Sequence, residues 1–485
     1  MKSLTMTSII SRRYLRFATL LALVFLLFVA TQNFYRMESL KNTSGAEKLT
    51  VEGIFGCDEI PLWQSQMIHR ASLPPIAGYR NLTSGDKKLL AIGIATVYRD
   101  ENYLLTTLSS LVNESDAEER KDAVIIIYLA DTDTEKKEKQ LRSIRKHFQP
   151  HLDSGFFQVI ESGPEIYPPM DFALTKRTFN DSTDRVLWRA KQVMDFAFLF
   201  SYAKPLSMYY LVIEDDIISS SQYISAVKDF IKSRESHRWT ALHFSGFLGI
   251  GLLFHNSDLP NLIRLLIMFH QEQPVDMLMR QFISLQVPDE LVARHFPAIF
   301  QHIGIKSTLP NKFQKLKDNT FDMAKRRFKN HNPPADLITT MKVYNDFVLE
   351  YAYRPAPGIF WGISKAQDTL DIIFQKPINI SRVVMLSGIP SMKSKNQKTM
   401  KDTVSDGTLL EASSHFQKVT PNGNSAICDN FTSIAEFKLG DVDVWRDWSG
   451  GRNHSEKLAS VQCLRMKIGP SQRSWIILRE IQVFL

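Results

Sequence analysis

Cysteine is close to absent: Cys57, Cys428 and Cys463 are the only three in 485 residues. So few exclude a disulfide-stapled scaffold, and without C-x-x-C spacing a zinc ribbon has no basis. Internal repeats and long low-complexity tracts are also missing, so neither a solenoid nor a compositionally biased polymer describes the chain. Nor does charge gather in one place. The 59 Lys and Arg against 51 Asp and Glu give a formal net charge of +8, but the basic residues are scattered. A nucleic-acid binder would carry them as a stripe or patch. What remains is a basic surface with room for a site that takes an anionic nucleotide. The apolar share of 44% is ordinary for a chain that buries a sizeable core, and the length suggests two to three domains.

One long apolar run stands at the N-terminus. From Phe17 to Ala30 every residue except Thr19 is apolar, and the run extends through Asn33 to Phe34. That is roughly 18 residues, near the lower limit for a bilayer-spanning helix. Lys2, Arg12, Arg13 and Arg16 precede it with no acid among them, which keeps the N-terminus cytosolic and the rest lumenal. A cleaved signal peptide is the alternative; Phe28 at −3 of a cut after Ala30 makes a poor cleavage site. Both readings place the body in the secretory pathway. Asn42, Asn81, Asn113, Asn180, Asn379, Asn430 and Asn453 each open an N-x-Ser/Thr sequon, which agrees with that compartment. There Cys428 and Cys463 are free to pair, leaving Cys57 over.

Residues 35–88 are polar and turn-rich, as in a stem. From Leu89 short apolar runs alternate with amphipathic stretches. Strands are expected at Leu89–Val97, Ala123–Ala130, Phe156–Ile160 and Met208–Ile213, and helices at Tyr103–Val112, Glu135–Phe148 and Arg185–Tyr202. This alternation predicts a mainly parallel sheet with helices on both faces, whose ligands bind beyond the carboxyl ends of the strands. After Asn332-Pro-Pro-Ala335 the pattern changes to short apolar runs between polar turns, which predicts a β-sandwich.

Four clusters bear chemistry. Glu214-Asp215-Asp216 ends a hydrophobic strand, where three mutually repelling carboxylates suit a divalent cation that bridges phosphate oxygens. A solvated acidic turn is the plainer reading. Arg185, Arg189 and Lys191 lie on the preceding helix; the two arginines share a face and match either phosphates or carboxylates, although a solvated basic face also accounts for them. Asp276, in Gln271-Glu-Gln-Pro-Val-Asp276, is placed to act as a general base or simply to cap a helix that begins beyond it. His302 gains interest only beside a carboxylate-bound metal, where imidazole is a suitable added ligand.

The segments RVLWRAKQVMDFAFLF (185–200), YYLVIEDDI (209–217), MFHQEQPVDML (268–278), IFQHIG (299–304), NPPA (332–335) and IFWGI (359–363), in this order, resemble the N-acetylglucosaminyltransferase IV family. The similarity runs from about residue 89 to the C-terminus and points to a C-type or a divergent enzyme-like member. It implies an α/β fold: a GT-A-type, Rossmann-like glycosyltransferase domain over 89–334, then a β-sandwich, carbohydrate-binding-like domain over 335–485. Before them would come a cytoplasmic tail (1–13), a transmembrane signal anchor (14–34) and a stem (35–88). The implied reaction is inverting, metal-dependent transfer of GlcNAc from UDP-GlcNAc in β1,4 linkage to the α1,3-arm mannose of N-glycans, with Mn²⁺ as cofactor. Carried over by motif, Asp276 is the catalytic base and Asp216 and His302 are metal ligands. Glu214, Asp215, Arg185, Arg189 and Lys191 would bind the donor, and Cys428 and Cys463 would form the disulfide. The implied partners are N-glycoprotein acceptors, the Golgi membrane and other Golgi glycosyltransferases, with no nucleic acid. The implied place is the Golgi membrane, single-pass type II, catalytic domain lumenal.

Three departures lie close to these motifs. Active relatives carry Leu-Glu-Phe-Ser where this chain has Leu242-His243-Phe244-Ser245, a Gly-Lys pair where it has Gly251-Leu252, and a Trp where it has Met277. Losing an acid and a base together is either one lost ion pair or a lost contact to donor or acceptor. The second choice supports an alternative function: a catalytically weak or inactive member that binds glycans or regulates other Golgi enzymes.

Overall fold

A computed structural model describes residues 60–79, 87–101, 103–172, 178–247, 249–286, 293–306, 313, 316–325, 327–328, 330–390, 400–418, 426–446, 460–472 and 474–485. The expected anchor at 14–34, most of the stem, Cys57 and the sequons at Asn42, Asn81 and Asn453 lie outside them. Among the described residues no helix is long and apolar enough to cross a membrane. Asn113, Asn180, Asn379 and Asn430 are exposed, as glycan acceptors must be.

The four expected strands form one half of a seven-stranded sheet. They are β1 (Lys88–Thr96), β2 (Ala123–Leu129), β3 (Phe157–Glu161) and β4 (Ser207–Ile213), in the order β3-β2-β1-β4 and all parallel. Their near-continuous apolar runs follow from burial on both faces. Leu90, Ile92, Ile94, Ile125, Ile127, Leu211 and Ile213 join one core; the intervening Ala91, Val124, Ile126, Tyr128, Tyr210 and Val212 join the other. Each fully buried aliphatic among them contributes about 1.5–3 kcal/mol.

Helix α1 (Leu62–Ser72) lies on the second face. Helices α2 (Tyr103–Asn113) and α4 (Thr134–Asp153) cover the first, and the short α3 (Ala117–Lys121) is closed by an Asp116/Glu119 capping box. The expected end of the charged helix at Phe148 is where its backbone leaves helical values, ahead of Pro150; the chain then resumes the helix to Asp153. Helix α5 (Thr183–Ala203), capped by Ser182, packs on the second face through Val193, Ala197 and Phe200.

Beyond β4 the sheet stays mainly parallel, as expected, with β7 alone running against the other six strands. After β5 (Ile217–Ser219) and α6 (Tyr223–Ser233), strands β6 (Ala241–His243) and β7 (Leu252–His255) form a hairpin, and β7 pairs antiparallel with β4. Helices α7 (Leu259–Phe269) and α8 (Val275–Gln286) come next. Then β8 (Ala293–Arg294) closes the sheet edge, and β9 (Phe300–His302) pairs antiparallel with β5 outside it.

Ten of the strands from Ala335 to Phe484 form two antiparallel five-stranded sheets around a third core that includes Phe360, Leu464 and Leu478, and four more form two short two-stranded ladders. Asn332 pins the entry to this sandwich: its side chain accepts from the Val483 N–H at 2.7 Å and donates to the Ile481 carbonyl at 2.7 Å. Cys428 and Cys463 are joined by a disulfide. The sandwich is tied to the α/β part by Arg234–Asp346 (2.7 Å) and Arg354–Asp229 (2.6 Å), and by Glu480, which accepts from the Arg327 and Phe328 N–H groups at 3.0 Å each.

Candidate active site

The acidic triplet comes directly after β4, at the carboxyl end of the parallel strands, where an open α/β sheet leaves a crevice. Its backbone is held from beneath by α2. The buried Thr107 hydroxyl lies 2.9 Å from the Asp215 carbonyl and 2.8 Å from that of Ile217, and it accepts the Ile217 N–H at 3.0 Å. From the other side, β9 sets His302 opposite Ile217, and the Ile303 N–H donates to the Asp216 carbonyl at 2.8 Å. Residues 86 positions apart, Asp216 and His302, thereby become neighbours through two three-residue strands.

The three carboxylates diverge. Asp215 turns inward, accepting from Thr96 Oγ1 at 2.6 Å and from the Arg99 guanidinium. Asp216 takes a second Arg99 hydrogen bond on Oδ2 at 3.1 Å, while its buried Oδ1 has no hydrogen-bond partner. That oxygen lies 3.5 Å from His302 Nε2, which also stands 3.8 Å from Glu214 Oε2. Burial holds the His302 imidazole below its usual range, against the opposing pull of Asp216, which favours the neutral ring. Enclosure by protein, then repulsion from Asp216 and Asp276, pushes the Glu214 carboxyl up to about 8, against the opposing pull of Arg99.

Ligand atoms of Glu214, Asp216 and His302 all lie within 4.8 Å of one another. Two carboxylates and a neutral imidazole converging on one point, one oxygen without a hydrogen bond, fit a divalent cation of the Mn²⁺ kind. A cation there would also reverse the upward push on Glu214. Expected metal ligands Asp216 and His302 are thus brought together, and Glu214 joins them. Asp215, between them in sequence, does not.

Asp276 completes the cluster. It sits in the first turn of α8 rather than ahead of a helix, and Gly249 (φ +82°) separates it from Glu214. A Cβ at Gly249 would stand 3.2 Å from Asp276 Oδ1 and 3.4 Å from Glu214 Oε1. The missing side chain leaves the two carboxylates facing one space, and any L-residue at this φ would be strained.

Arg185, Arg189 and Lys191 are not brought to the carboxylates. Arg185 pairs with Asp181 at 2.9 Å. Arg189 is almost fully buried and donates to the Glu272 and Gln271 carbonyls at 2.8 and 3.1 Å, with Asp181 3.6 Å from its Nε. A guanidinium that deep must find acceptors, and those it finds belong to the loop that delivers Asp276. Lys191 donates to the Ala130 carbonyl at 2.6 Å and to Asp195 at 2.8 Å. Sequence reasoning missed Thr96, Arg99 and Thr107. The carboxyl-end rule that singled out 214–216 also marks Thr96 and Arg99, at the end of β1. Thr107 had a fainter signal, a hydroxyl inside the stripe Leu104, Leu108, Leu111.

Positions 243 and 252 are directly opposed across the β6–β7 ladder. Residues so paired face the same side of a sheet. Side chains at the two positions are therefore neighbours, the placement that a single cross-strand exchange would need. Burial holds His243 below its usual range, and its Nε2 lies 3.0 Å from the Phe247 carbonyl. Met277 is exposed at 42%.

Comparison with known proteins agrees with these motifs. Residues 76–321 match a family model described as the MGAT4 conserved region, and residues 335–480 match the MGAT4 C-terminal domain. The chain is 32% identical over 401 residues to mouse alpha-1,3-mannosyl-glycoprotein 4-beta-N-acetylglucosaminyltransferase C, covering 82% of this chain and 79% of that one. It is 32% identical to chicken alpha-1,6-mannosyl-glycoprotein 4-beta-N-acetylglucosaminyltransferase (82% and 81% covered). To human alpha-1,3-mannosyl-glycoprotein 4-beta-N-acetylglucosaminyltransferase B the identity is 30% (81% and 73% covered). Solved structures overlay weakly. A chitosan-binding module from Paenibacillus sp. IK-5 gives a TM-score of 0.22 over 32% of this chain and 100% of its own, at 11% identity. The mannosyltransferase PcManGT from Pyrobaculum calidifontis gives 0.23 over 41% and 53%, also at 11%. Overlays this weak decide neither fold nor function.

Proposed function

The chain belongs to the MGAT4 family and is a glycosyltransferase of the N-acetylglucosaminyltransferase class, and from that membership we propose its reaction. It transfers GlcNAc from UDP-GlcNAc in β1,4 linkage to the α1,3-arm mannose of N-glycans, with inversion at the anomeric carbon. The observation that carries this reading is the shared space between Asp276 and Glu214 across Gly249, beside the group formed with Asp216 and His302. Asp276 accepts the proton of the mannose 4-hydroxyl as that oxygen attacks the anomeric carbon from the face opposite the departing diphosphate. Glu214, Asp216 and His302 are the residues that would hold the metal. Bound Mn²⁺ would supply neutralisation of the charge growing on the departing diphosphate. Arg189 keeps the 271–274 loop, and with it Asp276, in register.

We read the seven-stranded sheet as a GT-A-type domain and the sandwich as a carbohydrate-binding domain that retains glycan acceptors. Residues 14–34 would anchor the protein in the Golgi membrane with both domains lumenal. The Cys428–Cys463 bond supports an oxidising compartment. The neighbouring positions of His243 and Leu252 support one cross-strand exchange, and the alternative of a catalytically weak, glycan-binding or regulatory member rests on the same two residues.

The test is direct: purified full chain, UDP-GlcNAc, Mn²⁺ and biantennary N-glycans, with linkage analysis of any product. A β1,4-GlcNAc on the α1,3 arm is expected. Product on the α1,6 arm would correct the acceptor, an arm that appears in the chicken relative's name. No product above an Asp276→Asn control would end the catalytic reading in favour of a glycan-binding or regulatory one.

A further inference from the structure

We infer that Arg99 is the protein's own cation for the donor diphosphate, and that Asp215 serves to hold it there rather than to bind metal. The inference rests on the donor-site reading above and assigns a role to residues outside the expected donor set.

Position is the first argument. A cleft open to solvent lies against the carboxyl end of β1, lined by Thr96, Tyr98, Arg99, Lys139, Gln140 and Asp215. By successive contacts, Arg99 of the cleft lining bonds Asp216 of the Glu214/Asp216/His302 group, and Glu214 shares the space at Gly249 with Asp276. A nucleotide-sugar has the same linear order: nucleoside, diphosphate, then a sugar carbon beside the acceptor. Laid along the site, its diphosphate falls at Arg99.

Bonding is the second. Asp215 is satisfied by Thr96 Oγ1 and Arg99, both protein groups, and lies outside the cluster of potential metal ligands. Arg99 in turn donates to Asp215, to Asp216 Oδ2 and, at 3.4 Å, to the Lys306 carbonyl. Three of its five N–H groups are thus used, and two have no partner among the described residues. A guanidinium fork fixed on two sides, with donors left over, suits phosphate oxygens and needs little further ordering to bind them.

Charge is the third. Glu214, Asp215, Asp216 and Asp276 crowd one site, and Arg99 is the only Lys or Arg among the described residues that pairs with any of the first three. An incoming diphosphate would meet a field of carboxylates unless positive charge already stood on its path.

The test compares UDP with uridine as ligands of the full chain at saturating Mn²⁺, and separately titrates Mn²⁺ alone, for wild type, Arg99→Lys and Arg99→Met. If the inference holds, wild type prefers UDP over uridine, and Arg99→Met loses roughly 10- to 100-fold of that preference with uridine affinity unchanged. Arg99→Lys should keep part of it, since the charge stays and the fork goes. An undiminished preference in Arg99→Met, with Mn²⁺ binding tightened, would overturn the inference and leave Arg99 as a counter-charge for empty carboxylates. If wild type binds no UDP, the donor-site reading fails and this inference fails with it.

Discussion

Gly304 presses on Asp216 more closely than any side chain would allow. A Cβ built there would lie 2.1 Å from Asp216 Oδ2 and 3.1 Å from His302 Cε1. The backbone is not in the left-handed region, so Gly304→Ala imposes no dihedral strain and acts through the added methyl alone. Gly304 is buried, so the methyl cannot turn to solvent. Asp216 must retreat by roughly an ångström, which stretches its 3.1 Å bond to Arg99 beyond hydrogen-bond reach. Losing a charge-assisted bond costs about 1.5–3 kcal/mol. A ligand displaced by about that distance is expected to bind metal roughly 10- to 100-fold more weakly, as with other misplaced active-site groups. Mn²⁺ affinity, measured by calorimetry or electron paramagnetic resonance on protein shown to be folded by its thermal melt, reads this directly. Wild-type Mn²⁺ affinity in folded Gly304→Ala would refute the reasoning, because Asp216 could then not be a metal ligand.

Four other outcomes rest on single observations. The buried Tyr210 hydroxyl has no hydrogen-bond partner and lies where a Gly93 Cβ would stand, so Tyr210→Phe should raise stability by about 1 kcal/mol in denaturant titration; a loss would mean the hydroxyl is satisfied after all. His243→Glu and Leu252→Lys should each destabilise alone yet show favourable coupling of about 0.5–3 kcal/mol together, and additivity would dissolve the cross-strand explanation. Arg189→Met should cost about 3–5 kcal/mol and lower kcat, since it strips two carbonyls of their donors ahead of Asp276; unchanged thermal stability would deny Arg189 its anchoring role. His295 is buried and its pKa is depressed to about 4, so the unfolded chain binds the extra proton first as pH falls. Stability should therefore drop by up to about 3 kcal/mol between pH 6.5 and 4, and a His295→Phe variant should lack that share of the slope.

Much of the architecture could be read from one-dimensional signals, for reasons particular to each element. β1, β2 and β4 are buried on both faces, so each appears as an unbroken apolar run; the run of 369–374 likewise lies in a β-strand, and that of 461–468 does so up to Lys467. β5, β6, β7 and β9 are three or four residues long, too short for periodicity to speak, and the hairpin that sets one reversed strand into the sheet rests on two of them. The basic face of α5 was visible as a face, but not its acceptors. A helix pattern states which side a side chain leaves from and nothing about the loop that arrives there, so neither a phosphate site nor a solvated face describes Arg189, whose acceptors are the 271 and 272 carbonyls.

The sequence by itself determined the chemistry on offer: an acidic triplet on a strand end, a distant Asp276 and His302, and the order of motifs that marks the family. Local composition and spacing carry these, because a strand end, an apolar stripe or a motif is written in consecutive residues. Only the tertiary structure decided which atoms share a site. The β5–β9 ladder brings His302 to Asp216, Gly249 opens the space between Glu214 and Asp276, and Thr96 and Arg99 draw Asp215 away from its neighbours. Adjacent carboxylates on one backbone point in different directions, and where each one goes is set by partners 85 to 120 positions away, through contacts that exist only once the sheet has closed.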